Sequence, residues 1–112
     1  MKVLLAALNA KYIHTSPALR SLRAYADDEE KYTVLKEYTI NNRIEFIVSD
    51  IYKEKPDYIG FSCYIWNIEM IKIAARRLKK ILPNTVMVFG GPEVSYDAAE
   101  FLRENDFADI VM

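Results

Sequence analysis

The chain has 112 residues, 52% of them hydrophobic, with 15 basic against 16 acidic side chains and a formal net charge of −1. That length fits one domain with a real core, and the balanced charge excludes the electrostatic footprint of a nucleic-acid-binding protein. A single cysteine excludes an internal disulfide and a self-contained thiolate metal or iron–sulfur site, and no apolar run reaches the length of a membrane span.

Residues 2–8 form a near-continuous apolar run, the pattern of a strand buried on both faces. The run is too short for a signal peptide, and Asn9 and Lys11 follow it directly, so a cytoplasmic location is the expectation. Ser16 and Pro17 open a first helix as N-cap and first-turn proline, with Leu19, Leu22 and Tyr25/Ala26 inward. Residues 32–39 alternate, Val34 and Tyr38 against Leu35 and Glu37, which predicts a half-exposed edge strand. Asn42 and Glu45 have the spacing of a capping box for a helix that turns Ile44, Ile47, Val48 and Ile51 inward and ends before Pro56.

A third strand is expected over residues 57–62. Asn67 is placed to cap the next helix, whose inner stripe is Ile68, Ile71, Ala75, Leu78 and Leu82. Its basic run, Arg76, Arg77, Lys79 and Lys80, reads as a solvated helix face. Strand four is expected over residues 85–89, a short helix over 96–104, and a fifth strand over 108–112, cut off as it starts. This alternation predicts an α/β fold of three layers with a five-stranded parallel sheet. Strands one, three and four are the most apolar and belong in the centre. The amphipathic second strand belongs at an edge, which gives the flavodoxin-like order 2-1-3-4-5. A chain that stops on a bare strand reads as one domain, residues 1–112, of a longer protein.

In such a sheet ligands bind outside the carboxyl ends of the strands. Three loops meet there: residues 9–16, 62–67 and 90–95. They hold the only histidine (His14), tryptophan (Trp66) and cysteine (Cys63). The first loop has no glycine, so neither a dinucleotide fingerprint nor a phosphate loop is present. Asn9 and Ser62 stand where a receiver domain would carry its acidic pair and acceptor aspartate. A nucleophile–base–acid set of Ser62, His14 and Glu93 lacks the nucleophile-elbow signature. What remains points to a large ligand. Gly90 and Gly91 remove side chains at a strand end, Pro92 stiffens the exit, and Tyr12, Tyr64 and Trp66 supply aromatic surface.

Three segments carry a family resemblance: Asn9-Ala10-Lys11-Tyr12-Ile13-His14, Gly60-Phe61-Ser62-Cys63-Tyr64-Ile65-Trp66-Asn67, and Gly90-Gly91-Pro92-Glu93-Val94-Ser95. With them the whole chain resembles the N-terminal cobalamin-binding domain of cobalamin-dependent radical SAM enzymes. The resemblance implies that cobalamin lies over the carboxyl rim, with Asn9, Tyr12, His14, Ser62, Tyr64, Trp66, Asn67, Gly90, Gly91, Pro92 and Glu93 as the cofactor-binding set. Ser62 matches the serine of the wider fold's second motif, with Tyr64 in place of its leucine. Gly90-Gly91 matches the third motif; these two accommodate the nucleotide tail. The first motif, Asp-x-His-x-x-Gly, is broken: Tyr12 replaces its aspartate and Pro17 its glycine, leaving His14 without the partner that would orient it. The departure implies that no residue of this chain ligates cobalt.

By the same resemblance a downstream radical SAM domain of the same polypeptide would bring a [4Fe-4S] cluster and S-adenosylmethionine, and the parent enzyme would perform methyl transfer or related radical chemistry. The cluster motif is absent from this chain, so the domain alone would bind rather than catalyse. The competing expectation is a cofactor-free scaffold or substrate-recognition domain. Nucleic acid and membrane are not expected partners.

Overall fold

The computed structural model describes residues 2–9 and 32–112. The elements are β1 (Lys2–Asn9), β2 (Tyr32–Thr39), α1 (Ile44–Glu54), β3 (Tyr58–Ser62), α2 (Ile68–Ile81), β4 (Val86–Gly90), α3 (Pro92–Ser95), α4 (Ala98–Glu104) and β5 (Ile110–Val111). All strand pairs are parallel, in the order β2-β1-β3-β4-β5. The amphipathic strand is at the edge and the three apolar strands are central, as the polarity of the runs predicts. The helix expected to start at Ser16 lies outside the described residues.

Alternation along β1 divides the core in two. Leu4, Ala6 and Leu8 join Ile59, Phe61, Met87 and Phe89 in one cluster, which also holds Ile47 and Ile51 of α1, Ile71, Ala75 and Leu78 of α2, and Phe101 of α4. The three crossover helices among the described residues therefore cover the same face, as right-handed connections running in one direction require. The opposite face holds Val3, Leu5 and Ala7, packed with Tyr58 and Val88. On the helix-covered face, Phe61 and Phe89 are register partners whose rings stack at 5.2 Å, with Phe101 and Phe107 against Phe89 at 5.3 and 5.7 Å. Each buried ring contributes about 2–3 kcal/mol by area removed from water.

Several local expectations change. Arg43, not Asn42, is the N-cap of α1, and it makes no side-chain cap bond. Asn42 Oδ1 instead accepts from the Thr39 backbone N–H at 2.8 Å, so its amide closes the turn after β2. The helix expected over 96–104 begins earlier and breaks in two. Pro92 opens α3 at its first turn, and Asp97 caps α4 by accepting from Glu100 N–H. Within the basic run, Lys79 donates to Thr85 O at 2.9 Å and to Asp109 Oδ2 at 2.8 Å, and Asp109 Oδ2 also accepts from Met87 N–H. That lysine clamps β5 to β4. Arg76, Lys79, Lys80, Asp106 and Phe107 line a cavity of about 340 Å³ at the amino-terminal end of the strands, away from the carboxyl rim.

A polar clasp joins α1 to the β2 edge. Tyr38 Oη donates to Asp50 Oδ2 at 2.7 Å, Lys36 Nζ reaches Asp50 and Glu54 at 3.4 and 3.6 Å, and Lys2 Nζ pairs with Glu54 at 2.7 Å. The Tyr38 hydrogen bond, then Lys36, holds the Asp50 carboxyl below its ordinary value. Burial, then Asp50, pushes the Tyr38 phenol well above the usual tyrosine range. A depressed carboxylate stabilises the fold above its unfolded value and loses that contribution as pH falls through the folded one. The gap in urea midpoint between the parent chain and Asp50→Asn is therefore expected at neutral pH and should start to narrow below about pH 4. A gap unchanged from pH 7 to pH 3 would show that Asp50 acts by packing alone.

Candidate functional site

The carboxyl ends of β1, β3 and β4 form the rim, and strand register decides what shares it. Ala7, Ser62 and Gly90 are register partners across the three central strands. By alternation they lie on the face opposite α1, α2 and α4, with Gly60 next to Leu5 and Val88 in the row beneath. Three of the smallest side chains thus make one buried row across the sheet just inside the rim, a trough in side-chain relief. Gly90 has no positive φ, unlike Gly91. Its backbone is one any residue adopts, so what glycine supplies there is the missing side chain.

Asn9 ends β1 on the same face, one step above Ala7. Its Nδ2 is buried with no hydrogen-bond partner. An orphaned buried donor costs about 1–3 kcal/mol unless something accepts from it. The other such atom among the described residues, Thr33 Oγ1, is paired in register with Val3, at the far end of the strands.

Asn67 holds the rim together. It stands at the N-cap position of α2 but makes no cap bond to that helix. Its Oδ1 accepts from Tyr64 N–H at 2.8 Å, and its Nδ2 donates to Leu8 O at 2.9 Å and Ser62 O at 3.1 Å. With 2% of its surface exposed and both amide protons donated, Asn67 positions the ends of β1 and β3. Sequence reasoning expected a helix cap because it sees the offset to α2 but not the strand ends.

Gly91 also differs from the expectation. Its φ is +111°, and a Cβ there would collide with the Cys63 carbonyl oxygen and lie 2.9 Å from the Cys63 nitrogen. Cys63 N–H donates to Gly90 O at 2.7 Å, carrying the β3–β4 ladder one step past the strands. Gly91 thus answers to the neighbouring loop, whereas Gly90 omits a side chain from the row on the sheet.

Ser62 is fully buried. The Tyr64 and Trp66 rings stack in parallel at 4.6 Å, with Trp66 half exposed and Ile65 more so, forming a two-ring stack at the rim. Pro92 and Glu93 are exposed in the first turn of α3. Burial pushes the Cys63 thiol up to about 12, against a backbone hydrogen bond from Gly90 that lowers it, so it is a neutral packing group and not a nucleophile. Tyr12 and His14 lie outside the described residues, as do the first motif's other positions.

A family model described as "B12 binding domain" matches residues 3–112. The chain belongs to the B12-binding domain family. Two curated relatives are each 27% identical to it. One is the cobalamin-dependent radical SAM methyltransferase TokK of Streptomyces tokunonensis, matched over 95 residues and 80% of this chain. The other is the 2-(S-pantetheinyl)-carbapenam-3-carboxylate methyltransferase of Streptantibioticus cattleyicolor, matched over 96 residues and 81% of this chain. The match spans only 14% of either relative. In fold, this B12-binding domain is similar to a cobalamin-binding protein from Desulfitobacterium hafniense. The TM-score is 0.66 at 17% identity, covering 98% of this chain and 52% of that one. No described helix is long and apolar enough to cross a membrane.

Proposed function

We propose that this domain binds cobalamin at the carboxyl rim, with the nucleotide tail laid in the trough of Ala7, Ser62 and Gly90, and that it serves a radical SAM methyltransferase as its N-terminal cofactor module. The observation that carries the reading is that in-register row of small residues under an orphaned Asn9 amide. A row of small side chains leaves room for a planar base, and a ligand acceptor would satisfy the orphaned donor. Asn9, Tyr64 and Trp66 border the mouth, Pro92 and Glu93 lie beyond Gly91, and Asn67 and Gly91 keep the loops in place. When bound, cobalamin supplies a cobalt centre able to carry a methyl group. The residues described here bind and orient it, and the catalytic half, with its cluster and S-adenosylmethionine, belongs to a partner domain outside this chain. Full-length curated relatives named as methyltransferases support that assignment.

The test mixes the purified chain with hydroxocobalamin, desalts it and records the visible spectrum. Retained corrin absorbance is expected. Gly90→Val, which fills the trough from a regular strand position, should lower retention about tenfold or more, and His14→Ala should leave the cobalt bands where they are. Loss of all corrin absorbance from the parent chain would favour the cofactor-free scaffold, and a band shift in His14→Ala would show that histidine ligates.

A further inference from the structure

Register places one carboxylate in the row of small residues. Ala7 pairs with Glu37 of β2 on one side and with Ser62 on the other, so the row reads Glu37, Ala7, Ser62, Gly90 from the edge inward. Lys36 and Tyr38 turn to the opposite face, toward Asp50 of α1, which confirms by alternation that Glu37 points to the trough face. Glu37 is half-buried and makes no ion pair among the described residues. Asn9, with its orphaned Nδ2, is the diagonal neighbour one step nearer the rim, because its own register partner is Thr39. Strand spacing and rise put the two backbone positions about 8 Å apart.

Among the described residues the pair offers a donor that lacks an acceptor and an acceptor that lacks a donor, side by side on one face. A primary carboxamide satisfies both at once: its carbonyl accepts from Asn9 Nδ2 and its NH₂ donates to the Glu37 carboxylate. Two hydrogen bonds across an amide group span about 8 Å from donor atom to acceptor atom, a separation open to two side chains rooted at neighbouring positions. A carboxylate in that place would meet Glu37 as a like charge in a partly desolvated site. Cobalamin carries primary carboxamides around its corrin ring, and its incompletely amidated forms carry carboxylates at the same positions. We infer that Asn9 and Glu37 together read one peripheral carboxamide of the corrin and select the fully amidated cofactor. The inference rests on the cobalamin reading above and assigns that site its specificity.

The test is a spectroscopic titration of the chain with hydroxocobalamin and with the isomeric cobalamin monocarboxylic acids, in each of which one carboxamide is hydrolysed. One of these acids is expected to bind the parent chain at least tenfold more weakly than cobalamin. Glu37→Gln should collapse that ratio to threefold or less, because a neutral amide no longer repels the acid. Asn9→Ala should weaken cobalamin about tenfold, the worth of one buried hydrogen bond, with its urea midpoint showing that the fold is kept. If cobalamin binds the parent chain but every acid binds equally well, or Asn9→Ala and Glu37→Gln both titrate like the parent, the carboxamide reading is wrong and cofactor binding stands. If the parent chain binds no cobalamin, both fail.

Discussion

Gly91→Ala should lower the urea midpoint by an amount corresponding to about 3 kcal/mol, without a change in slope. Two penalties combine. A side chain at φ +111° is strained wherever it sits, and this Cβ would meet the Cys63 carbonyl oxygen. The obstacle is backbone on both sides, so no rotamer relieves it. The loop from Cys63 to Asn67 must then move away from α3, breaking the 2.7 Å bond from Cys63 N–H to Gly90 O. The variant therefore loses stability and cofactor site together, and bulk at Gly91 is no clean probe of the trough; Gly90 is. An Ala variant that unfolds at the parent's urea concentration would show that the two loops do not pack this closely.

Asn67→Ala is expected to cost about 3 kcal/mol, near 1 kcal/mol for each of the three hydrogen bonds its amide makes to Tyr64, Leu8 and Ser62. Asn67→Asp should cost more than Asn67→Ala, despite its closer shape. The carboxylate would face the Leu8 and Ser62 carbonyl oxygens with charge instead of donors, at a site with almost no water. Urea unfolding of the two variants checks both the size and the order. If Asp proves the milder change, the amide does not bridge β1 and β3. The physical point is the position of this side chain. β1 and β3 are adjacent in the sheet but about fifty residues apart in the chain, and chain direction diverges on either side of them. A crevice for ligand opens at that divergence, and Asn67 spans its floor by joining the Leu8 carbonyl of β1 to the Ser62 carbonyl of β3.

Much of this was legible in residue order. The apolar runs placed β1, β3 and β4 in the centre, and the alternation of Val34 and Tyr38 against Leu35 and Glu37 placed β2 at the edge, because burial on one face or two leaves a period in the sequence. Local hydrogen bonding was less legible. Asn42 and Asn67 both have cap-like spacing, yet one amide closes a turn and the other ties two strand ends. An asparagine side chain has several partners within reach, and sequence shows only the nearest. The paired glycines were visible as unusual, but their separate duties depend on which backbone lies alongside.

The sequence by itself determined the strand and helix periods, the sheet order that their polarity implies, and the three loops in which chemistry-bearing residues gather. Those follow from local side-chain volume and polarity, which are properties of residue order alone. Only the tertiary structure decided that Ala7, Ser62 and Gly90 form one row, that Glu37 and Asn9 flank it, and that Gly91 belongs to the Cys63 loop. Register is a relation between segments tens of residues apart, and a shift of one residue would send each of these side chains to the other face of the sheet.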